Sequence, residues 1–210
     1  METTKEFFNE YAHDFDAIYG TKNDAFNKAI NFFFRKSMKL RFLKSIESIP
    51  DSASSVLDVG CGPGHYCSTL AKKGVQFVHG VDFSEEMIEI AKQRKSKEVS
   101  ENVLKFEVAD ILKFHPERKY DYIIMMGFIE YFENPEELLK KVINIANKKI
   151  FISFPNAKGM LALQRRMRYK QKCPLYMYTR QQISDLMMKT NLHSFSIEKI
   201  DRDYFVSIDL

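Results

Sequence analysis

Five short apolar runs, each followed by a segment of helical spacing, set the pattern of this chain. Residues 55–59, 76–81, 103–108, 120–126 and 149–154 read as strands. The fourth is almost wholly apolar, as expected of a strand covered on both faces. Between them, residues 65–73 form a helix closed by Gly74 as its C-terminal cap. Ser84 supplies a hydroxyl cap, with Glu85 and Glu86 in the first turn, to a helix that turns Met87, Ile88 and Ala91 inward. Asn134-Pro135-Glu136-Glu137 opens a helix expected to run to about Asn147, and Pro155 is expected to stop the strand after it. Strands alternating with helices predict a parallel sheet with right-handed crossovers. Thr179 caps a last helix, residues 179–189. Two more strands, 194–200 and 204–208, are joined by Asp201-Arg202-Asp203 as an antiparallel hairpin.

Ahead of the first strand lie two amphipathic segments. Phe7, Phe8, Tyr11, Phe15 and Tyr19 recur at helical spacing, which suits either a helix on the core or a lid. In residues 25–46, Phe26, Ile30, Phe33, Phe34, Met38, Phe42 and Ile46 form an apolar stripe opposite Lys28, Arg35, Lys36, Lys39, Arg41 and Lys44, with no acid. Residues 156–178 break the alternating pattern and are also acid-free, with Arg165, Arg166, Arg168, Lys170 and Lys172. The expected architecture is α/β: one three-layer domain over 1–210. Residues 1–50 form a helical lid, 51–155 the nucleotide-binding core, 156–178 a basic insertion, and 179–210 a helix and hairpin.

Composition narrows the class little. Hydrophobic residues are 45% and charged residues 29% of 210, ordinary for a globular chain. A net charge of +4 is too mild to imply nucleic acid. Three cysteines, Cys61, Cys67 and Cys173, show no paired spacing. That predicts a reducing compartment, no structural metal site and a cytoplasmic protein, since no run is long enough to cross a bilayer.

The chemistry gathers at strand ends, where open α/β sheets bind ligands. After the first strand comes Asp58-Val59-Gly60-Cys61-Gly62-Pro63-Gly64; Asp82 closes the second, Asp110 follows the third, and Met126-Gly127 follows the fourth. A nicotinamide fingerprint is Gly-x-Gly-x-x-Gly. Here the third glycine comes one residue early, at Gly64, and His65 takes the place of the expected one.

The apolar-Asp-apolar-Gly-x-Gly-x-Gly pattern, with Gly80-Val81-Asp82-Phe83 and Val108-Ala109-Asp110, resembles the class I S-adenosylmethionine (SAM) dependent methyltransferases. The resemblance implies a Rossmann-like fold, SAM as cofactor and S-adenosylhomocysteine as product. It places Gly60, Cys61 and Gly62 beside the ribose and methionine part, and Asp82 on the ribose hydroxyls. Phe83 or Met87 covers the adenine, and Asp110, with Ile111 beside it, receives the adenine amino group. Asp58 holds the ammonium end through a water or orients the loop, and Met126 and Gly127 complete the pocket. Many members carry a Tyr-rich amino-terminal helix, which puts Tyr11, His13 and Tyr19 near the site.

On the acceptor side, Gly127-Phe128-Ile129-Glu130-Tyr131-Phe132 should face the transferred methyl. No Asn/Asp-Pro-Pro-Tyr/Phe motif occurs, which disfavours base or amide N-methylation. Ile129-Glu130-Tyr131 and the later Ile152-Ser153-Phe154 are similar to small-molecule O-methyltransferases of the ubiquinone and magnesium-protoporphyrin pathways, although the porphyrin enzymes have a histidine at the position of Glu130. Glu130 is the first candidate for acid–base or positioning work, then Tyr131, Tyr11 and His13. If both basic segments roof the pocket, Lys36, Arg165, Arg166 and Arg168 attract an anionic acceptor, with Tyr19 and Tyr178 beside it. The leading expectation is O-methylation of a small anionic or lipid- or carrier-linked metabolite by a monomer or homodimer. An RNA- or protein-directed enzyme, a membrane-docking insertion and a non-catalytic SAM-binding protein remain as alternatives.

Overall fold

The computed structural model describes residues 25–95, 99–169 and 173–210. These form a seven-stranded sheet in the order β3-β2-β1-β4-β5-β7-β6. The strands are β1 (Val56–Val59), β2 (Val78–Asp82), β3 (Leu104–Val108), β4 (Tyr120–Met125), β5 (Ala146–Pro155), β6 (Phe195–Ile200) and β7 (Asp203–Asp209). β1 to β5 pair in parallel; β7 runs antiparallel to both β5 and β6. Strand order reverses between β1 and β4, so the crevice beyond their carboxyl ends is the expected ligand position.

Six helices flank the sheet among the described residues: α1 (Ala25–Ser48), α2 (His65–Lys73), α3 (Glu85–Arg94), α4 (Pro135–Asn144), α5 (Met160–Tyr169) and α6 (Arg180–Lys189). One buried cluster joins Val56, Ile124, Phe151 and Phe205 to residues of α2 and α3, with Phe42 and Ile46 of α1 against it. The other joins Leu57, Ile123, Ile152 and Val206 to Leu138 and Val142 of α4 and Ile183 and Met187 of α6. Both faces of the central strands are thus covered, which is why β1 and β4 are apolar runs.

The capping expected from sequence is present. Ser84 Oγ accepts from the Met87 N–H, and Gly74 closes α2 at φ 111°. Thr179 and Gln182 form a reciprocal capping box.

Two boundaries differ. α4 stops at Asn144, not near Asn147, and β5 begins at Ala146. The cause is pairing with β4: Ala146 is opposite Tyr120 and Lys149 opposite Tyr122, so β5 carries one extra residue there as a bulge. Pro155 is the last paired residue of β5, not a break before it. Its carbonyl accepts from the Tyr178 N–H, and a missing donor is tolerated at a strand end.

Candidate functional site

The glycine turn is tied down by backbone and carboxylate together. The N–H groups of Gly60 and Cys61 donate to the Val81 carbonyl at 2.8 and 3.1 Å, and the Gly62 N–H donates to Asp82 Oδ2 at 2.9 Å. Asp82 Oδ1 accepts from the Ser84 N–H at 2.9 Å. One carboxylate therefore locks the end of β2, the loop after β1 and the start of α3. Each of its oxygens keeps lone-pair capacity for a further donor. Burial pushes the Asp82 carboxyl above its ordinary range, against these backbone donors.

Gly60 and Gly64 are required for different reasons. Gly60 has φ 71°, and a Cβ there would lie within 2.9 Å of three atoms of the Phe128 ring. Gly64, at φ 75°, starts α2, and a Cβ would strike Phe106 and Ala91. Gly64 thus serves helix packing, while Gly60 bares backbone to the crevice.

That crevice is lined by Val59, Gly60, Asp82, Phe83, Asp110, Ile111, Phe128 and Phe132, among others. It gathers five residues expected from the sequence: Gly60, Asp82, Phe83, Asp110 and Ile111. Asp110 uses Oδ1 to accept the Leu112 N–H at 3.0 Å, which shapes its turn. The rings of Phe128 and Phe132, 5.0 Å apart, cover the crevice. As chemistry, the site offers bare backbone, a paired acid and aromatic faces. This set fits a nucleoside with a cationic amino-acid arm, and Phe128 must turn aside to admit it.

Other expected cofactor residues sit elsewhere. Asp58 is buried in β1 and accepts from the Cys67 thiol at 3.2 Å; burial raises its pKa to about 7. The same burial pushes Cys61 up to about 11. Met87, in α3, and Met126, just after β4, are both buried. Gly127 donates its N–H to Ser153 Oγ at 2.8 Å.

The acceptor side is an ionic cluster built from distant segments. Glu130 lies in a 3-10 turn, Ile129–Tyr131, directly after β4. Its Oε1 pairs with Arg165 Nη2 of α5 at 3.1 Å. Arg165 Nη1 reaches Asp203 Oδ1 at 2.8 Å, and Asp203 Oδ2 faces Arg41 Nη1 of α1 at 3.2 Å. Arg41 Nη1 also donates to Ser153 Oγ at 3.3 Å. The four charges balance, two against two. Glu130 is 1% exposed, and its Oε2 is buried with no hydrogen-bond partner among the described residues. Burial pushes its carboxyl above the usual range, opposed by Arg165 and Arg41. Tyr178 is buried nearby; burial first, and Glu130 second, raise its phenol so that it stays a donor.

The two basic segments therefore do meet, at Asp203. Arg165 spends its charge internally, while Lys36 and Arg166 are exposed. Tyr131 sits half-buried beside Glu130. Tyr11, His13 and Tyr19 lie outside the described residues, as does the side chain of Arg168. Sequence reading missed Asp203, and it noted Ser153 only within a resembling segment, with no role of its own. Asp203 looked like a hairpin turn residue, and only the sheet register opposite Pro155 brings it to the rim.

A family model described as a methyltransferase domain matches residues 50–199. This chain is a class I SAM-dependent methyltransferase domain. The domain is 29% identical over 159 residues to the chloroplastic magnesium protoporphyrin IX methyltransferase of Arabidopsis thaliana, covering 73% of this chain and 50% of that protein. It is 33% identical over 117 residues to a ubiquinone biosynthesis O-methyltransferase of Coxiella burnetii, covering 54% and 49%. The methyltransferase domain thus spans about half the length of these relatives. Among solved structures, the magnesium protoporphyrin IX methyltransferase of Synechocystis PCC 6803 with bound SAH superposes at TM-score 0.75. The identity is 19%, over 98% of this chain and 96% of that one. At that identity the likeness carries the fold. No helix among the described residues is long and apolar enough to cross a membrane, and no acidic, cysteine or histidine group among them could hold a metal.

Proposed function

We propose that this methyltransferase domain transfers the methyl group of SAM to an oxygen of a small-molecule acceptor, with Glu130 receiving the acceptor's hydrogen bond. The sulfonium of SAM supplies an electrophilic methyl; the chain's part is to place and prepare the nucleophile. One observation carries the reading: Glu130 Oε2 is buried and without a partner among the described residues, while Oε1 is held by Arg165. A buried acceptor atom without a donor is costly, so a ligand donor there is favoured. An O–H group supplies it, and a carboxyl that burial pushes upward holds a proton more readily than a free one. Tyr178 adds a donor beside it. The relatives named as ubiquinone biosynthesis O-methyltransferases support oxygen as the target.

The charge of the acceptor is a further part of the proposal. Lys36 and Arg166 are exposed on the two helices that meet at Asp203. They draw an anionic acceptor toward the rim.

The test is a panel of hydroxy-acids, neutral phenols, amines and RNA offered with methyl-labelled SAM. Label should enter the oxygen of hydroxy-acids, and weaken in the Lys36→Glu/Arg166→Glu variant. Label confined to amines or RNA refutes the proposal.

A further inference from the structure

A second concave site lies on the far face of the sheet from α1. It is an open groove of about 630 Å³ between the loop after β5, the start of α6 and the β6–β7 hairpin. Its wall includes Tyr204, whose side chain faces the cluster that holds Val206 and Ile183, while the adjoining Asp203 faces Arg41 on the other side.

The groove is rich in unused donors. Lys158 and Arg180 both line it, both are exposed, and neither has an ion-pair partner among the described residues. No acidic residue among the described residues lines it. The capping box of α6 satisfies the Gln182 N–H through the Thr179 side chain, and the Ile183 N–H bonds the Thr179 carbonyl. The N–H groups of Arg180 and Gln181 remain for a ligand, at the positive end of a ten-residue helix. Tyr204 gives the independent sign: it is only 7% exposed, it lines the groove, and its hydroxyl has no partner among the described residues. Its ring is buried, while the hydroxyl is left open as a donor or acceptor. Here the open side is the groove, with the Ser184 hydroxyl beside it.

The remaining wall is apolar. Phe195 and Ile197 are half-buried and alternate along β6 on one face. We infer that this groove binds a phosphate monoester carrying an apolar or aromatic group. The phosphoryl oxygens meet Lys158, Arg180, the first N–H groups of α6 and the Tyr204 hydroxyl, and the apolar group lies on Phe195 and Ile197. The site is separate from the SAM crevice and does not depend on the proposed O-methylation.

The test uses the whole chain, with phenyl phosphate and inorganic phosphate as probes in isothermal titration. Phenyl phosphate should bind one to one and more tightly than inorganic phosphate, by about tenfold, from ring burial. Lys158→Ala/Arg180→Ala should lower phenyl phosphate affinity by about tenfold or more, since charged hydrogen bonds are lost. Tyr204→Phe, which keeps the ring, should lower it by about fivefold. SAM affinity and the unfolding midpoint of the exposed double variant should stay at wild-type values. Equal affinity in wild type and double variant overturns the site. Equal affinity for the two probes overturns the ligand class, and competition between phenyl phosphate and SAM overturns the separation.

Discussion

The Phe128 ring lies where a Cβ on Gly60 would be, with three ring atoms within 2.9 Å of that position. Gly60 also sits at φ 71°, which costs an L side chain about 1–2 kcal/mol. Gly60→Ala should therefore both strain the turn and push Phe128 across the crevice. SAM affinity by titration calorimetry should fall by about tenfold or more. Adding Phe128→Ala to the same chain should recover part of the unfolding midpoint, because the clash goes while the strain stays. An unchanged SAM affinity in Gly60→Ala would show that this backbone does not meet the cofactor.

Asp82 joins the loop at Gly62 to the start of α3 at Ser84. Asp82→Ala removes both links and any ribose contact. SAM affinity should drop by about 2 kcal/mol, the size expected for hydrogen bonds to a charged acceptor. Asp110→Ala, whose visible bond is only to the Leu112 N–H, should cost less. The reverse order would displace Asp82 from the centre of the site.

The chain Glu130–Arg165–Asp203–Arg41 is buried, so breaking it strands charge. Asp203→Ala leaves two guanidiniums without their shared carboxylate. Urea unfolding should show a loss of about 3–5 kcal/mol. A combined Asp203→Ala/Glu130→Gln/Arg165→Met/Arg41→Met variant should lose less than the single change, since no unpaired charge of the cluster remains. A single change within about 0.5 kcal/mol of wild type would contradict the burial of this cluster.

Two buried groups give stability opposite slopes with pH. His79, bonded to the Tyr120 hydroxyl at 2.7 Å, is lowered to about 4 by burial first and then by Lys105. Below about pH 6.5 the unfolded chain takes up a proton that folded His79 refuses, so stability falls as pH drops from there toward 4. Asp58, raised to about 7 by burial, behaves in the opposite sense. It is favourable while protonated and loses stability as pH rises from about 3.9 to 7. The two oppose each other between pH 4 and 6.5. Relative to wild type, His79→Phe should steepen the fall in stability as pH rises, and Asp58→Asn should lessen it. Unfolding free energies at four or five pH values check both, and parallel curves for the two variants would refute the assignments.

Local chemistry made much of the fold readable. Ser84, Gly74, Asn134 and Thr179 mark helix ends because capping acts within one turn. The strands of the core are readable because both faces are buried. Helix α5 escaped notice because Met160, Leu163 and Met167 point outward, at 86%, 59% and 70% exposure, so its apolar stripe follows no core. The early end of α4 depends on the β4–β5 register, which no local pattern carries. At the site, Gly60, Asp82 and Asp110 follow strand ends and are legible for that reason. The partners of Glu130 are not, since Arg165 and Asp203 stand 35 and more residues away and meet it only through sheet order.

The most direct test of the account is single-turnover methyl transfer to a hydroxyl acceptor by wild type and Glu130→Gln. The amide keeps the shape and one acceptor oxygen but removes the base. We predict a rate lower by about 10²–10⁴-fold, with SAM affinity unchanged and the loss smaller for acceptors already ionised. A wild-type rate in Glu130→Gln would contradict the role of Glu130 and, with it, the proposed handling of the acceptor.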